Sequence, residues 1–231
     1  MTQETKWINV QTIAQDLDAR MRALPDLKAG HVRPIRREFT KRLAHATPQQ
    51  VLELAQRLIT TFERRLVAYE LVHYHRPTLY SLRVEELEAL SRGMDSWSSV
   101  DAFGLLLAGP AWREKQVPDA WVHGWARSED YWRRRAALVC TVALNVKARG
   151  GSGDVPRTLH VCRMLADDRD DMVIKAMSWA LRVLIQHDPQ AVRDFLAEHE
   201  DALAARVKRE VQNKLTTGLK NPRRSRPDRF S

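Results

Sequence analysis

The sequence predicts an all-α protein built from helical hairpins, and three observations favour that fold class. Glycine is scarce, at nine of 231 residues, whereas the usual share is about 7%. This scarcity disfavours turn-rich all-β architectures. Apolar residues recur at spacings of three and four along most of the chain, which is typical of amphipathic helices. Prolines stand where these segments begin, at positions where the missing N–H of proline costs least.

The prolines mark where successive helices are predicted to begin. The clearest N-cap and N1 pairs are Thr47-Pro48 and Asp188-Pro189, and Pro34, Pro77, Pro110, Pro118 and Pro156 are interpreted in the same way. The pattern predicts no strand. It predicts helices near residues 7–24, 34–45, 48–60, 62–75, 78–92, 96–108, 110–116, 118–127, 129–148, 155–167, 171–187, 189–199 and 201–219.

The proline spacing indicates a repeat. Pro77 and Pro110 are 33 residues apart, and the same spacing separates Pro156 from Pro189. Two helices per unit at this spacing favour a HEAT-like solenoid, whose repeats usually span about 40–47 residues. Such a solenoid presents a concave surface, lined by the second helix of each pair, to a long ligand such as a duplex. No consensus recurs in letters, so an irregular helical bundle is the alternative.

We therefore expect one HEAT-like domain over residues 1–220. Residues 150–153, Gly-Gly-Ser-Gly, are predicted to form a flexible loop inside it rather than a boundary. Residues 221–231 are predicted to be a disordered basic tail.

The net charge of +9 is concentrated at the end of the chain. Residues 206–231 hold nine Lys or Arg and two acids, which leaves only +2 for residues 1–205. A second basic patch spans residues 31–42, where one acid, Glu38, accompanies the five cations Arg33, Arg36, Arg37, Lys41 and Arg42. This patch is interpreted either as a nucleic-acid surface or as an ordinary solvated helix face.

Several function classes are disfavoured. No uncharged stretch is long enough to span a bilayer, the first residues lack the apolar core of a secretory signal, and only Cys140 and Cys162 could pair. We expect a reduced, cytoplasmic protein without a membrane partner. The histidines and cysteines are scattered, and no phosphate loop, dinucleotide fingerprint or nucleophile elbow occurs, so we expect neither a metal nor a cofactor.

Trp97 and Asp101 are the first candidate site residues. They are four residues apart in a segment that Asp95 or Ser96 would cap, so a helix places the indole and the carboxylate on one face. The alternative interpretation is that Trp97 packs in the core and Asp101 is an ordinary exposed helical acid.

Two later segments carry further candidates. Arg133, Arg134 and Arg135 open an apolar helix, and because consecutive residues splay over about 200° at most two of them can share a cleft. Trp179 is flanked by small residues in a helix, where core packing is again the alternative.

At these residues the sequence resembles a known family. The motifs Gly30-x-x-x-Pro34-x-Arg36-Arg37, Trp97-x-x-x-Asp101, Trp132-x-x-Arg135-Ala136-Ala137 and Lys175-Ala176-x-x-Trp179-x-Leu181-Arg182 are similar, in order and spacing, to those of AlkD-like DNA alkylation repair enzymes. These are bacterial alkylpurine DNA glycosylases of HEAT-like fold. The resemblance runs from about residue 30 to about residue 200. In one place the sequence departs from it: around residues 19–22 it has no aromatic residue, where the family often has one near the lesion.

The resemblance implies roles for the candidates. Asp101 is the catalytic carboxylate, Trp97 and Trp179 flank the sugar-phosphate of the lesion nucleotide, and Arg135 holds a backbone phosphate. The further DNA-binding residues are Arg33, Arg36, Arg37, Lys175 and Arg182. The implied partner is double-stranded DNA with alkylated bases, bound by a bacterial, cytoplasmic monomer that acts without a metal or cofactor and leaves the damaged base stacked.

The chemistry explains why so few residues suffice. An N3-alkyladenine or N7-alkylguanine is cationic, so it departs as a neutral base and needs no general acid. A carboxylate then stabilises the oxocarbenium-like deoxyribose and orients the attacking water. Two alternatives stay open at this point: a non-catalytic protein that binds DNA structures, and a helical-repeat scaffold for protein interactions, which the near-neutral body of the chain favours.

Overall fold

A computed structural model describes residues 9–222, and every regular element in that range is helical. The α-helices, numbered along the chain, are α1 Val10–Arg22, α2 Ala29–Arg42, α3 Pro48–Thr60, α4 Arg65–Tyr74, α5 Arg76–Ser81, α6 Val84–Ser91, α7 Trp97–Phe103, α8 Gly109–Arg113, α9 Asp119–Ala126, α10 Tyr131–Asn145, α11 Val155–Met164, α12 Asp171–Leu184, α13 Pro189–Glu198 and α14 Ala205–Thr217. The all-α prediction is confirmed.

The chain forms two compact units that divide between Val122 and His123. In the first unit α1, α3, α5 and α6 pack in one layer, and α2, α4 and α7 pack side by side in a second layer. In the second unit α10, α12 and α14 lie side by side, with α11 and α13 packed against them. Both units are thus stacks of helical hairpins, as the repeat prediction requires. The limits of a single 1–220 domain stay a prediction.

Helix starts with a capping residue before proline form as predicted. Thr47 accepts a hydrogen bond from the Gln50 N–H, and the Gln50 side chain accepts one from the Thr47 N–H, a reciprocal capping box with Pro48 in the first turn. Asp188 caps α13 in a similar way by accepting from the Ala191 N–H at 2.8 Å. These local interactions fix the first residue of each helix.

Pro34 does not begin a helix, contrary to the prediction. α2 begins at Ala29, and Pro34 lies inside it. The proline therefore removes one helical hydrogen bond, to the carbonyl of Gly30, close to the start of the helix. α2 also lacks a side-chain cap at Lys28, so it owes its stability to packing, with Ile35 and Phe39 buried.

The prediction of separate helices at 96–108 and 110–116 is also wrong. α7 continues through a π-helical turn, Gly104–Ala108, directly into α8. Pro110 lies inside this run and cannot donate to the carbonyl of Leu106. The Nδ1–H of His73, on α4, donates to that carbonyl at 2.9 Å instead. This bond ties the irregular stretch to the neighbouring helix.

The segment predicted as one helix over 78–92 is split. The backbone is extended at Leu82 and Arg83, between α5 and α6. The Gln116 amide donates to the carbonyls of Leu79 and Leu82 at 3.0 and 2.9 Å, which satisfies groups that a continuing helix would have bonded. Glu86 accepts from the Arg83 N–H at 2.8 Å and so caps α6.

The Gly-rich loop of residues 150–153 is packed rather than flexible. Gly151 is buried, and a Cβ there would lie 2.7 Å from the Leu144 carbonyl oxygen. Gly153 has a φ of +97° and lies against the His187 ring. The loop stays inside the second unit, as predicted. Of the predicted basic tail, 221–231, only residues 221 and 222 lie within the described range.

Candidate active site

The start of α7 fixes the position of the first candidate residue. Ser96 is the N-cap, its hydroxyl accepts from the Ser99 N–H at 3.3 Å, and the Ser99 hydroxyl donates to the Ser96 carbonyl at 2.9 Å. Of the two caps considered from the sequence, Ser96 is the one that forms. Trp97 is therefore the first residue of the helix, and Asp101 follows one turn later on the same face.

Trp97 projects into solvent. Its side chain is 60% exposed, which excludes the alternative that it is a core aromatic. Large aromatic rings usually bury most of their area, and the open indole of Trp97 is therefore available to a binding partner. Asp101 is half-buried. An aromatic plate and a partly desolvated carboxylate are thus presented together by α7.

The π-helical turn Gly104–Ala108 begins three residues after Asp101. Such turns are rare and occur often at functional sites. Phe103 packs against Tyr69 of α4, with ring centroids 5.7 Å apart, and the bond from His73 to the Leu106 carbonyl holds the turn itself. Contacts from α4 before the turn, at Phe103, and within the turn, at Leu106, therefore hold the helix of Asp101 in place.

A cavity of about 760 Å³ opens beside Trp97, at the ends where α2, α4 and α7 begin. Ser96 and Ser98, the neighbours of Trp97, form part of its wall. The other lining residues are Met21, Leu27, Ala29, Val32, Ile59, Thr60, Glu63, Arg64, Arg65, Leu66, Val67, Glu70, Gly93, Asp95 and Ser99. Met21 lies in the stretch where the sequence lacks the aromatic residue of the resembled family. The cavity was not predicted.

The two arginines in the cavity wall are held by the protein. The Arg64 Nε donates to the buried carboxylate of Asp18 at 2.8 Å. Arg65 donates to the carbonyls of Leu90 and Arg92 at 3.1 and 2.8 Å. Both cations therefore stabilise the fold around the cavity.

The basic patch on α2 divides into exposed and buried members. Arg33, Arg37 and Lys41 are exposed. Arg36 is buried: its Nε donates to Glu70 at 3.2 Å, and its guanidinium lies 3.9 Å from the centroid of the Tyr74 ring. Of the three arginines predicted to bind DNA, the structure places Arg33 and Arg37 at the surface.

The three consecutive arginines of α10 take three directions, as their splay on a helix predicts. Arg133 stacks on Trp125 at 5.3 Å, and Arg134 pairs with Asp168 at 2.6 Å. Arg135 is buried and donates to the Met172 carbonyl, also at 2.6 Å. The candidate Arg135 is thus anchored at the start of α12.

α12 presents the remaining candidates. Lys175 is exposed and pairs with Asp171 at 2.6 Å, and Trp179, one turn later, is half-buried. The Arg182 Nε donates to the Ser178 hydroxyl at 3.2 Å, and that hydroxyl donates to Glu210 at 2.6 Å. Burial lowers the pKa of Arg182, while the Glu210 carboxylate acts in the opposite direction. Arg182 is therefore part of an internal network.

Metal and thiol chemistry find no support in the described range. Among residues 9–222 no group of three His, Cys, Asp or Glu side chains is placed to hold a metal ion. Cys140 and Cys162 are buried free thiols, and burial raises the pKa of Cys140 to about 12, which keeps it from acting as a nucleophile. No helix within that range is long and apolar enough to cross a membrane.

Two comparisons with known proteins give a match. A family model described as DNA alkylation repair enzyme matches residues 22–215. The structure of a predicted DNA alkylation repair enzyme from Enterococcus faecalis superposes with a TM-score of 0.67 at 17% sequence identity, over 93% of this chain and 100% of that one. At this identity the likeness shows the fold. A search of curated proteins gives no match. The family match covers most of the sequence, and the chain therefore belongs to the DNA alkylation repair enzyme family.

Proposed function

We propose that the protein is a monofunctional DNA glycosylase that excises cationic N3- and N7-alkylated purines from duplex DNA, in base excision repair. The observation that carries the proposal is the arrangement on α7. In a member of a DNA alkylation repair family, an indole that is 60% exposed stands one turn before a half-buried carboxylate. Neither residue is placed as a core position would require.

Asp101 is the catalytic residue of the proposal. The glycosidic bond breaks with its electron pair going to the cationic purine, which leaves as a neutral base. The deoxyribose becomes oxocarbenium-like, and the Asp101 carboxylate stabilises the positive charge. A water then adds to C1′ and gives up a proton to the carboxylate. Partial burial strengthens this electrostatic effect because less water screens the charge.

Trp97 is proposed to line the deoxyribose. The face of an indole attracts a cation through its quadrupole, an effect of about 1–2 kcal/mol when water is displaced. Because Trp97 is open to solvent in the free protein, its ring is available to the DNA without rearrangement of the core. It also excludes water from one side of the reacting sugar.

Further contacts to the duplex are proposed from the family resemblance. Arg33 and Arg37, at the surface of α2, are proposed to bind phosphates, as is Lys175 of α12. Trp179 and Arg135 are proposed to contact the sugar-phosphate backbone of the same duplex. Arg135 is held at the start of α12 by its bond to the Met172 carbonyl. Arg182 is bound internally, and its proposed contribution is to hold α12 in place.

The proposed enzyme binds the sugar-phosphate backbone of the DNA and leaves the damaged base stacked. Most glycosylases extrude the target base into a pocket. No side chain in the proposal hydrogen-bonds a base edge, and the charge of the lesion itself supplies the leaving-group ability. A monomer suffices, because all the named residues lie in one chain.

The experiment is release of free alkylbase from methylated duplex DNA by the purified protein, measured by chromatography. We expect N7-methylguanine and N3-methyladenine in the supernatant, and no base from the unmethylated duplex. A protein that binds the duplex and releases no base would instead be the non-catalytic DNA-structure-binding protein considered from the sequence. A protein that does neither would be an interaction scaffold.

A further inference from the structure

α4 exposes an aromatic ring that has no role in the proposed function as described above. Leu66, Glu70 and Tyr74 follow one another at intervals of four and share one face of the helix. The opposite face is buried, with Ala68 and Val72 in the core. Tyr74 is 47% exposed.

The Tyr74 ring is held rigidly by Arg36. The guanidinium lies 3.9 Å from the ring centroid, and its Nε donates to Glu70. His73 meets the same ring edge to face at 5.0 Å. The Arg36 side chain is only 9% exposed. A rigid exposed ring loses little conformational entropy when a partner binds, which is why tyrosines serve as anchors at interfaces.

Exposed cations lie on the same helix as Arg36. Arg33 and Arg37 lie one turn before and one residue after Arg36 on α2, and Lys41 continues the same stripe at intervals of four. Arg36 itself and Arg42 pair with acids. Within residues 9–222 the stripe residues Arg33, Arg37 and Lys41 form no ion pair. Like charges at this spacing disfavour a helix by a few tenths of a kcal/mol each.

We propose that Tyr74 is a DNA-contacting residue that Arg36 positions. The ring packs on a deoxyribose, its hydroxyl donates to a phosphate oxygen, and the stripe of Arg33, Arg37 and Lys41 binds neighbouring phosphates. Arg36 makes no phosphate contact of its own, because Glu70 neutralises its charge and Tyr74 covers its face. This inference rests on the proposed function only in taking a DNA duplex as the ligand, and it concerns binding rather than bond cleavage.

Tyr80 offers a matched control for Tyr74. It is 46% exposed and also lies under a guanidinium, that of Arg76 at 4.7 Å, but it belongs to α5, in the other layer. Binding to an undamaged duplex is measured by fluorescence anisotropy. Tyr74→Ala should weaken binding about tenfold, since a hydrogen bond to a charged group is lost together with the ring contact. Tyr74→Phe should weaken it less, and Tyr80→Ala less than about twofold.

The role of Arg36 is tested by the dependence of affinity on salt. The double variant Arg36→Gln with Glu70→Gln removes both charges, so no buried charge is left without a partner. It should weaken binding as Tyr74→Ala does while leaving the slope of log K against log salt unchanged. Arg37→Gln, at the surface, should flatten that slope by about 0.9 for the lost phosphate contact.

Three outcomes overturn the inference. Affinity of Tyr74→Ala and Tyr74→Phe within about twofold of wild type removes Tyr74 from the interface. A slope flattened in the double variant makes Arg36 a direct phosphate contact. Failure of the wild-type protein to bind duplex DNA, with binding of an acidic protein instead, assigns the surface to another partner. Thermal melting of each variant identifies losses caused by unfolding, and the conservative Tyr74→Phe keeps the test decisive if Tyr74→Ala unfolds.

The proposed function can fail separately. A wild-type protein that binds duplex DNA and excises no alkylbase would refute the glycosylase and leave the Tyr74 inference standing. Normal excision together with unchanged binding by the Tyr74 variants would refute the Tyr74 inference and leave the glycosylase standing.

Discussion

The helices of the two units are capped by different residue types. In the second unit, aspartates cap successive helices by accepting backbone N–H bonds, namely Asp130, Asp154, Asp170 and Asp188. Such a cap contributes about 1 kcal/mol. In the first unit an amide or a hydroxyl does this, at Asn9, Thr47 and Ser96. Helices without a side-chain cap occur in both units, such as α2 and α4 in the first and α14 in the second. α2 also contains Pro34, and α7 runs into a π-helical turn.

Some of the cations described above also differ between the units in their partners. In the second, Arg134 is paired with Asp168, and Arg182 is bound into the Ser178–Glu210 network. In the first, the stripe residues of α2 are open. The proline inside a helix and the π-helical turn therefore both lie in the unit that carries Trp97 and Asp101. Features that destabilise or interrupt a regular helix thus occur in the unit of the proposed site. This is expected where function is favoured over stability.

The largest expected effect concerns the charge of the lesion. The proposed mechanism uses a carboxylate and an indole of the first unit and includes no general acid, so it assists only bases that leave as neutral molecules. Hypoxanthine leaves as an anion unless protonated, a penalty of several kcal/mol, and should be excised at least ~10³-fold more slowly than N7-methylguanine. Single-turnover rates in the same duplex measure this ratio.

The same assay tests whether the cavity beside Trp97 binds the base. A bulkier N7-alkylguanine should react at a rate similar to that of N7-methylguanine, because a stacked base need not fit a closed pocket. Comparable rates for hypoxanthine, or rejection of the bulky cationic lesion, would assign the cavity to base recognition and refute excision from the stack.

The tight packing of the second unit predicts a loss of stability. In Gly151→Ala the new Cβ meets backbone atoms at 2.7 Å, which should lower the free energy of unfolding by about 2 kcal/mol or more. Gly124→Ala, in α9, is the control, since a Cβ there meets nothing within 4 Å. It should be neutral or stabilise by up to about 1 kcal/mol. Chemical denaturation compares the two, and equal stabilities would contradict a packed loop.

The two tryptophans should separate activity from stability. Trp97→Ala removes an exposed ring, so excision should fall about tenfold through loss of the cation–π interaction, with an unchanged melting temperature. Trp179 is half-buried, and Trp179→Ala should lower both excision and melting temperature. If Trp97→Ala also lowers the melting temperature, the ring stabilises the fold and its exposure does not mark a binding role.

The smallest effect concerns adjacent arginines of α10. Arg135→Ala should flatten the salt dependence of duplex binding by about 0.9 for one lost phosphate contact, equally for damaged and undamaged DNA. Arg134→Ala, which breaks the pair with Asp168, should leave the slope unchanged. An unchanged slope for Arg135→Ala as well would reduce its role to supporting the start of α12 through Met172.

Local signals explain what could be predicted from the sequence. The starts of α3 and α13 follow from a capping residue and a proline that are adjacent in the chain, and the pairing of Trp97 with Asp101 follows from helical spacing alone. The aromatic and basic character of α2, α7 and α12 is likewise a local property. Periodicity therefore predicted the all-α fold and the hairpin repeat.

What could not be predicted depends on partners distant in the chain. Arg36 is buried because its guanidinium donates to Glu70 and stacks on Tyr74, and both partners are more than thirty residues away in the chain. α2 extends in front of Pro34 because its packing outweighs one lost hydrogen bond. The cavity is lined by residues from five helices and from three of the loops that connect them. Tyr74 did carry one signal, since it follows Leu66 and Glu70 at intervals of four and falls outside the buried register of α4.

The central claim is that Asp101 supplies the charge that glycosidic cleavage needs. Asp101→Asn keeps the shape of the side chain and removes its charge, and Asp201→Asn, at an exposed position, makes the same change of net charge as a control. Single-turnover excision of N7-methylguanine and duplex affinity are measured for both. The account predicts that Asp101→Asn loses about 10²–10³-fold or more in excision rate with unchanged affinity, and that Asp201→Asn matches the wild type. Excision by Asp101→Asn within about fivefold of the wild type, less than the effect of losing one oriented electrostatic group, would contradict it.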